Sequence, residues 1–113
     1  MHTIAFIFKK KKGMSLAEFH YHYAVIHGAF GAALPGLVEY THYPVRPVSD
    51  ADAHMHDEAT QGFEGLSIYS FFDEEHAKAA WNSVQNKALQ EDTLRFIDLE
   101  SMITLPLVKR TVL

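Results

Sequence analysis

The chain contains no cysteine. Disulfide frames, thiolate metal sites and thiol nucleophiles are therefore excluded, and any catalysis must rest on histidine, tyrosine or carboxylate. A long apolar run is also missing. The longest mostly apolar stretch, residues 23–38, is broken by His27, three glycines and Pro35, which is too short and too interrupted for a bilayer span. At the N-terminus the apolar residues 1–8 precede their lysines, the reverse of a secretory signal. The expectation is a soluble, cytoplasmic protein with no membrane partner. Positive charge is scarce outside one spot. Lys9 to Lys12 hold four of the ten Lys and Arg residues, and residues 50–75 carry eight acidic residues and no basic one. Such a chain repels a phosphate backbone, so no nucleic-acid partner is expected. The lysine run reads as a solvated loop, with steering of an anion to the mouth of a site as the alternative. Gly-rich phosphate loops, the Gly-x-Ser-x-Gly elbow and the dinucleotide fingerprint are absent too, and no cofactor is expected.

What is present is a chain of 113 residues, 48% hydrophobic and 21% charged. That suits one globular domain over residues 1–113. A folded chain of this mass exposes about 6,300 Å², roughly a third of its unfolded surface. Thr3 to Phe8 reads as a strand. Ser15 opens a helix, and Ser15 with Glu18 makes a capping-box pattern. At 100° per residue, Leu16, Phe19, His20, Tyr23, Ile26, His27 and Phe30 share an arc of about 120°. Glu18, His22, Val25 and Ala29 lie opposite, and the helix fades in the region of Gly28 to Gly31. Residues 36–45 and 63–72 read as the second and third strands. Between them lies a polar, acidic loop, residues 49–61. Asp73 caps a further helix that breaks near residues 82–86 and resumes over residues 89–97. Residues 101–112 form the last strand, and Pro106 within it implies an edge position or a bulge.

This order, β-α-β-β-α-β, is the α+β, ferredoxin-like split arrangement with a four-stranded antiparallel sheet. Its strands are apolar on both sides. Ile4, Phe6 and Phe8 alternate with Ala5 and Ile7, and Ile103, Leu105 and Leu107 alternate with Met102, Pro106 and Val108. One helix layer covers only one face, so the other needs a partner. A homodimer formed by sheet-to-sheet packing is the expected partner arrangement.

His27, on the apolar arc, is the first candidate for acid/base work, because an imidazole titrates near neutral pH. The bland alternative is a helix-terminal histidine satisfying a carbonyl. Tyr23, one turn away, is the second catalytic candidate, orienting His27 or holding a substrate oxygen. His20 and Phe30 flank the arc. On the second strand Tyr40 and His42 share a face, and on the third Tyr69 and Phe71 do. Whether these faces meet the helix or a partner subunit is open to alternation alone. Together they make an aromatic cleft, between the first helix and the sheet, for a hydrophobic or aromatic small molecule. His20 and His22 diverge by about 160° on a helix, so His-x-His is no metal pair there. His54, His56 and Asp57 form a second His-x-His-Asp in the acidic loop, where idle histidines are the commoner reading. No metal site is assigned.

Lys10 to Phe19 (KKKGMSLAEF), Tyr23, Val25-Ile26-His27-Gly28, residues 34–40 (LPGLVEY) and residues 91–98 (EDTLRFID) resemble the EthD-domain family. The resemblance runs over residues 3–110 and implies the dimeric α+β barrel. Folds of this kind host cofactor-independent monooxygenases, polyketide cyclases, lactone isomerases and haem-degrading enzymes. His27 matches the family's His before Gly. Ala29 stands where the family often has proline, and Ala24 where Trp follows Tyr. The resemblance thus implies a cofactor-independent oxidoreductase or a cyclase, dehydratase or isomerase. A non-catalytic carrier and a haem-handling protein remain the alternatives.

Overall fold

A computed structural model of the chain describes residues 1–52 and 60–113. β-Branched and aromatic residues near the N-terminus extend as β1 (His2–Lys10), since such side chains suit a half-buried pleated surface. Ser15 then caps α1 (Leu16–Tyr21), its side chain accepting from the Glu18 amide at 3.1 Å. The same rod continues as a π-helical segment (His22–His27) and as α2 (Gly28–Ala32). After Gly36, whose φ of +73° suits only glycine without strain, come β2 (Leu37–Pro44) and β3 (Gly65–Phe71). Asp73 caps α3 (Glu74–Trp81), and Ser83 caps α4 (Val84–Phe96). β4 (Ile97–Leu107) completes the chain's regular structure.

Two boundaries differ from the sequence expectation. α4 begins at Val84, not near residue 89, because Ser83 supplies a second N-cap, accepting from the Asn86 amide at 3.2 Å. The last strand begins at Ile97 and ends at Leu107. Ile97 already has extended angles (φ −109°, ψ 141°), so helix passes into strand without a loop. A third difference matters for function. The first helix is not α-helical throughout: the Gly28 amide bonds the Tyr23 carbonyl five residues back. Residues five apart, about 140° apart on an α-helix, are brought towards one line by such a turn. His22, read as pointing away from His27, therefore joins it.

The sheet is antiparallel with order β2-β3-β1-β4, the ferredoxin-like arrangement. β4 is an edge strand, and Pro106 lies in it opposite Ile4, so the missing N–H disrupts no central ladder. The register settles the face of each strand. Tyr40 pairs with Tyr69, His42 with Ser67, Ile4 with Tyr69 and Phe6 with Ser67. These residues, with Phe8 and Phe71, face the helices. The opposite face carries Ile7, Leu66, Ile68, Ile103 and Leu105. Ile103, Leu105 and Leu107 each remain about two-fifths exposed (42%, 39% and 39%).

Under the helices lie two apolar clusters. Leu34, Tyr69, Phe71, Ala77, Ala80 and Leu89 form one, and Phe8, Phe19, Tyr23, Phe96 and Ile97 the other. Among the described residues no helix is long and apolar enough to cross a membrane.

Gly31 packs where Tyr40 approaches the helix. A Cβ there would lie 2.5 Å from the Tyr40 ring and hydroxyl. Gly31→Ala is expected to destabilise the fold by about 1–3 kcal/mol through overpacking, measured by urea unfolding. An unchanged midpoint would contradict this packing.

Candidate functional site

Asp92 is the residue that the sequence reading missed. It sits on α4 between Leu89 and Phe96, at positions facing the core, and is fully buried. Its carboxylate binds two histidines of the π-helical segment. His22 Nε2 lies 2.8 Å from Oδ1, and His27 Nδ1 lies 2.8 Å from Oδ2. Arg95, one turn on, adds a contact at 3.2 Å to Oδ1. Burial pushes the Asp92 carboxyl up, but the hydrogen bonds from His27, His22 and Arg95 outweigh it and hold the group below its ordinary value. Burial lowers the pKa of His27, partly opposed by Asp92, so the imidazole is neutral at neutral pH. A carboxylate only accepts, so His27 carries its proton on Nδ1 and keeps Nε2 free. A charge at a core-facing helical position was the available signal for Asp92, since such charges are buried only when paired. His22 had no such signal, because the π-turn that aligns it is not written in the hydrophobic pattern.

His27 forms part of the wall of a cavity of about 590 Å³. The sheet side of that cavity is Ile4, Phe6, Phe8, Ser67 and Tyr69, and its roof is α4 with Trp81. The cleft therefore lies beneath α4. The expected position, between the first helix and the sheet, is filled: Phe19 and Tyr23 pack there against Phe8 and Phe96, with ring centroids 5.3–6.2 Å apart. Only His27 of the first helical region reaches the cavity.

Of the sequence candidates, the structure brings His27 and Tyr69 to the cavity wall. Tyr23 stands behind it, its hydroxyl bonded to the Leu66 carbonyl and to Ser67 Oγ, each at 2.8 Å. Tyr40 stacks on Tyr69 at 4.5 Å, and His42 stacks on Tyr23 at 4.0 Å. His42 Nε2 meets the Tyr40 hydroxyl at 2.5 Å. Both form a second layer that backs the wall. His20 lies beside Phe19, Phe30 is partly buried against the cluster that holds Leu34 and Phe71, and Phe71 is buried against Trp81. These three do not line the cavity, because each is directed into or alongside the apolar clusters. Among the described residues no group of three or more histidines and carboxylates could hold a metal. His54, His56 and Asp57 lie outside the described residues.

Burial, with repulsion from His27, brings the His42 pKa down to about 4. The unfolded chain, with histidine near 6.5, binds more protons between pH 6.5 and 4. Stability is thus expected to be full above pH 6.5 and to decline as pH falls towards 4. His42→Phe should flatten that decline in denaturant titrations at pH 7, 5.5 and 4.5, and an equal slope would contradict the assignment.

The EthD domain model matches residues 11–100. No curated protein matches the chain at a significant level. Solved structures share its fold. An ethyl tert-butyl ether degradation (EthD) family protein from Bacillus halodurans matches with TM-score 0.72 and 16% identity, over 97% of this chain and 100% of that one. A dimeric ferredoxin-like protein of unknown function from Thermobifida fusca matches with TM-score 0.66 and 10% identity, over 96% and 92%. SnoaB, a cofactor-independent oxygenase from Streptomyces nogalater, matches with TM-score 0.62 and 16% identity, over 100% and 98%. With most of its length, including the π-helical histidines and Asp92, inside the matched region, the chain belongs to the EthD-domain family.

Proposed function

We propose that the chain is half of a homodimeric, cofactor-independent enzyme that binds a neutral, flat, aromatic or polyketide-like molecule beneath α4 and moves a proton on it with His27. One observation carries this reading. A buried imidazole, oriented through Nδ1 by a buried carboxylate and so left with an unprotonated Nε2, is part of the wall of a cavity that is otherwise mostly apolar. Such an imidazole is a base near neutral pH, and Asp92 stabilises the imidazolium once the proton arrives. Among the described lining residues there is no Lys, Arg, Asp or Glu, which favours an uncharged ligand. The anion left on the substrate is the starting point for reaction with dioxygen, or for reprotonation elsewhere in a cyclisation, dehydration or isomerisation. SnoaB, of the same fold, is a cofactor-independent oxygenase.

The dimer reading rests on the uncovered sheet face. The accessible surface is 7580 Å², above the roughly 6,300 Å² usual for a monomer of this mass. Ile103, Leu105 and Leu107 lie on that face. Packing against a second copy buries them, as aligned sheets do. The Thermobifida fusca neighbour is described as dimeric.

Gel filtration is expected to give twice the 12.8 kDa of one chain. Leu105→Glu, which places a charge in the face, should shift the particle to the monomer. A wild-type monomer at micromolar concentration would refute the dimer. Dithranol, a neutral tricyclic phenol with an acidic ring CH₂, serves as the turnover probe. Oxygen uptake and solvent-deuterium incorporation at that carbon should exceed the buffer rate and fall by about 10²–10⁴ in His27→Ala. Equal rates in the variant would remove His27 from the reaction, and binding without turnover by the wild type would make the protein a carrier.

A further inference from the structure

Hydrogen bonds around the cavity have directions set by chemistry. The Leu66 carbonyl can only accept, so the single proton of the Tyr23 hydroxyl goes to it. Ser67 Oγ, also 2.8 Å from that hydroxyl, must then donate to it. Ser67 has no proton left for a ligand. Thr93 spends its own on the Leu89 carbonyl at 3.0 Å. His27 gives its Nδ1 proton to Asp92 and keeps a lone pair at Nε2. The Tyr40 hydroxyl pairs with His42 Nε2 behind the wall. His27, Ser67 and Thr93 all line the cavity, and each is left as an acceptor. Donors lie instead on the α4 side: Asn86 gives one of its two amide protons to the Trp81 carbonyl, and the exposed Gln90 also lines the cavity.

We propose that the cavity selects its neutral aromatic ligand by a hydroxyl or N–H group that donates to the edge formed by His27 and Ser67, that a ligand offering only a carbonyl there is disfavoured, and that Asp92 sets this polarity as the positioning residue that fixes the His27 tautomer. The inference rests on the ligand-site reading above and not on turnover. A carbonyl oxygen at this edge meets lone pairs, and a buried acceptor without a donor is costly. A hydroxyl or N–H group gives its proton to one of these acceptors and meets no such cost. The polarity depends on Asp92 staying ionised, and the charged and titratable groups around it favour that. His22 and Arg95 donate to its Oδ1. From the sheet side Tyr40 and His42 face the pair as neutral groups, with Tyr40 pushed up to about 12 by burial and His42 brought down to about 4. Tyr23 and Tyr69 are likewise held protonated by burial.

Trp81, the single tryptophan, lines the cavity, so its fluorescence reads binding. The wild-type protein should bind naphthol at least about ten-fold more tightly than methoxynaphthalene or tetralone, which accept but do not donate. Nitrogen NMR of the imidazoles should show His27 protonated at Nδ1 and bare at Nε2 at neutral pH. Asp92→Asn replaces one accepting oxygen by a donating amide and should narrow the gap between naphthol and tetralone. Ser67→Ala, which leaves the Asp92 bridge intact, should weaken naphthol and spare tetralone, so the idea stays testable if the Asp92 variant does not fold. Tetralone bound as tightly as naphthol, or His27 protonated at Nε2, would overturn the proposal, and an unchanged gap in a folded Asp92→Asn would remove Asp92 from it. A naphthol preference with no turnover of dithranol would overturn only the catalytic reading. Binding of none of the three probes would overturn both.

Discussion

One buried carboxylate organises this molecule. Asp92 is fully buried, and its two oxygens are shared between His22 and His27, with Arg95 reaching in from the surface. Taking a charge out of water is costly unless it is paired and hydrogen-bonded. The energy is recovered only when α4 and the π-helical segment meet in one register. The bridge is therefore better understood as a positional constraint than as a source of stability. Phe96, one turn from Asp92, completes it: the His22 ring stacks on Phe96 at 4.7 Å, and the His27 ring lies at 4.6 Å.

Placement of the cavity follows from that register. Phe8, Phe19, Tyr23 and Phe96 fill the space between the first helix and the sheet. α4, held at its C-terminal half by Asp92 and Phe96, roofs the remaining gap over β1, β3 and β4. The bridging histidine therefore sits where the filled region ends and the cavity begins. Its environment also explains its charge state. Burial disfavours imidazolium, and Asp92 offsets only part of that.

Local chemistry was readable in the residues. Ser15 and Asp73 cap the helices that their neighbours predict, because a capping bond depends on residues three apart in the chain. Pro106 marked an edge strand, since a proline removes a donor from one side of the ladder. The β-α-β-β-α-β order and the two-sided apolar strands were visible for the same reason: alternation is a local property. Asp92 and His22 were not found. The Asp92 role depends on a partner 65 residues away in sequence, and His22 depends on a change of helical pitch that no residue type announces.

By itself, then, the sequence determined the element order, the caps, the edge strand, the EthD-type motifs and the choice of His27 as the titratable group to watch. Each of these is set within a few residues or by composition. Tertiary structure alone decided which strand faces meet the helices, where the cavity lies, and that His22, Asp92 and His27 form one unit. Those outcomes depend on packing between distant segments: aromatic volume closed one cleft and left another open. The buried carboxylate then fixed which nitrogen of His27 faces it.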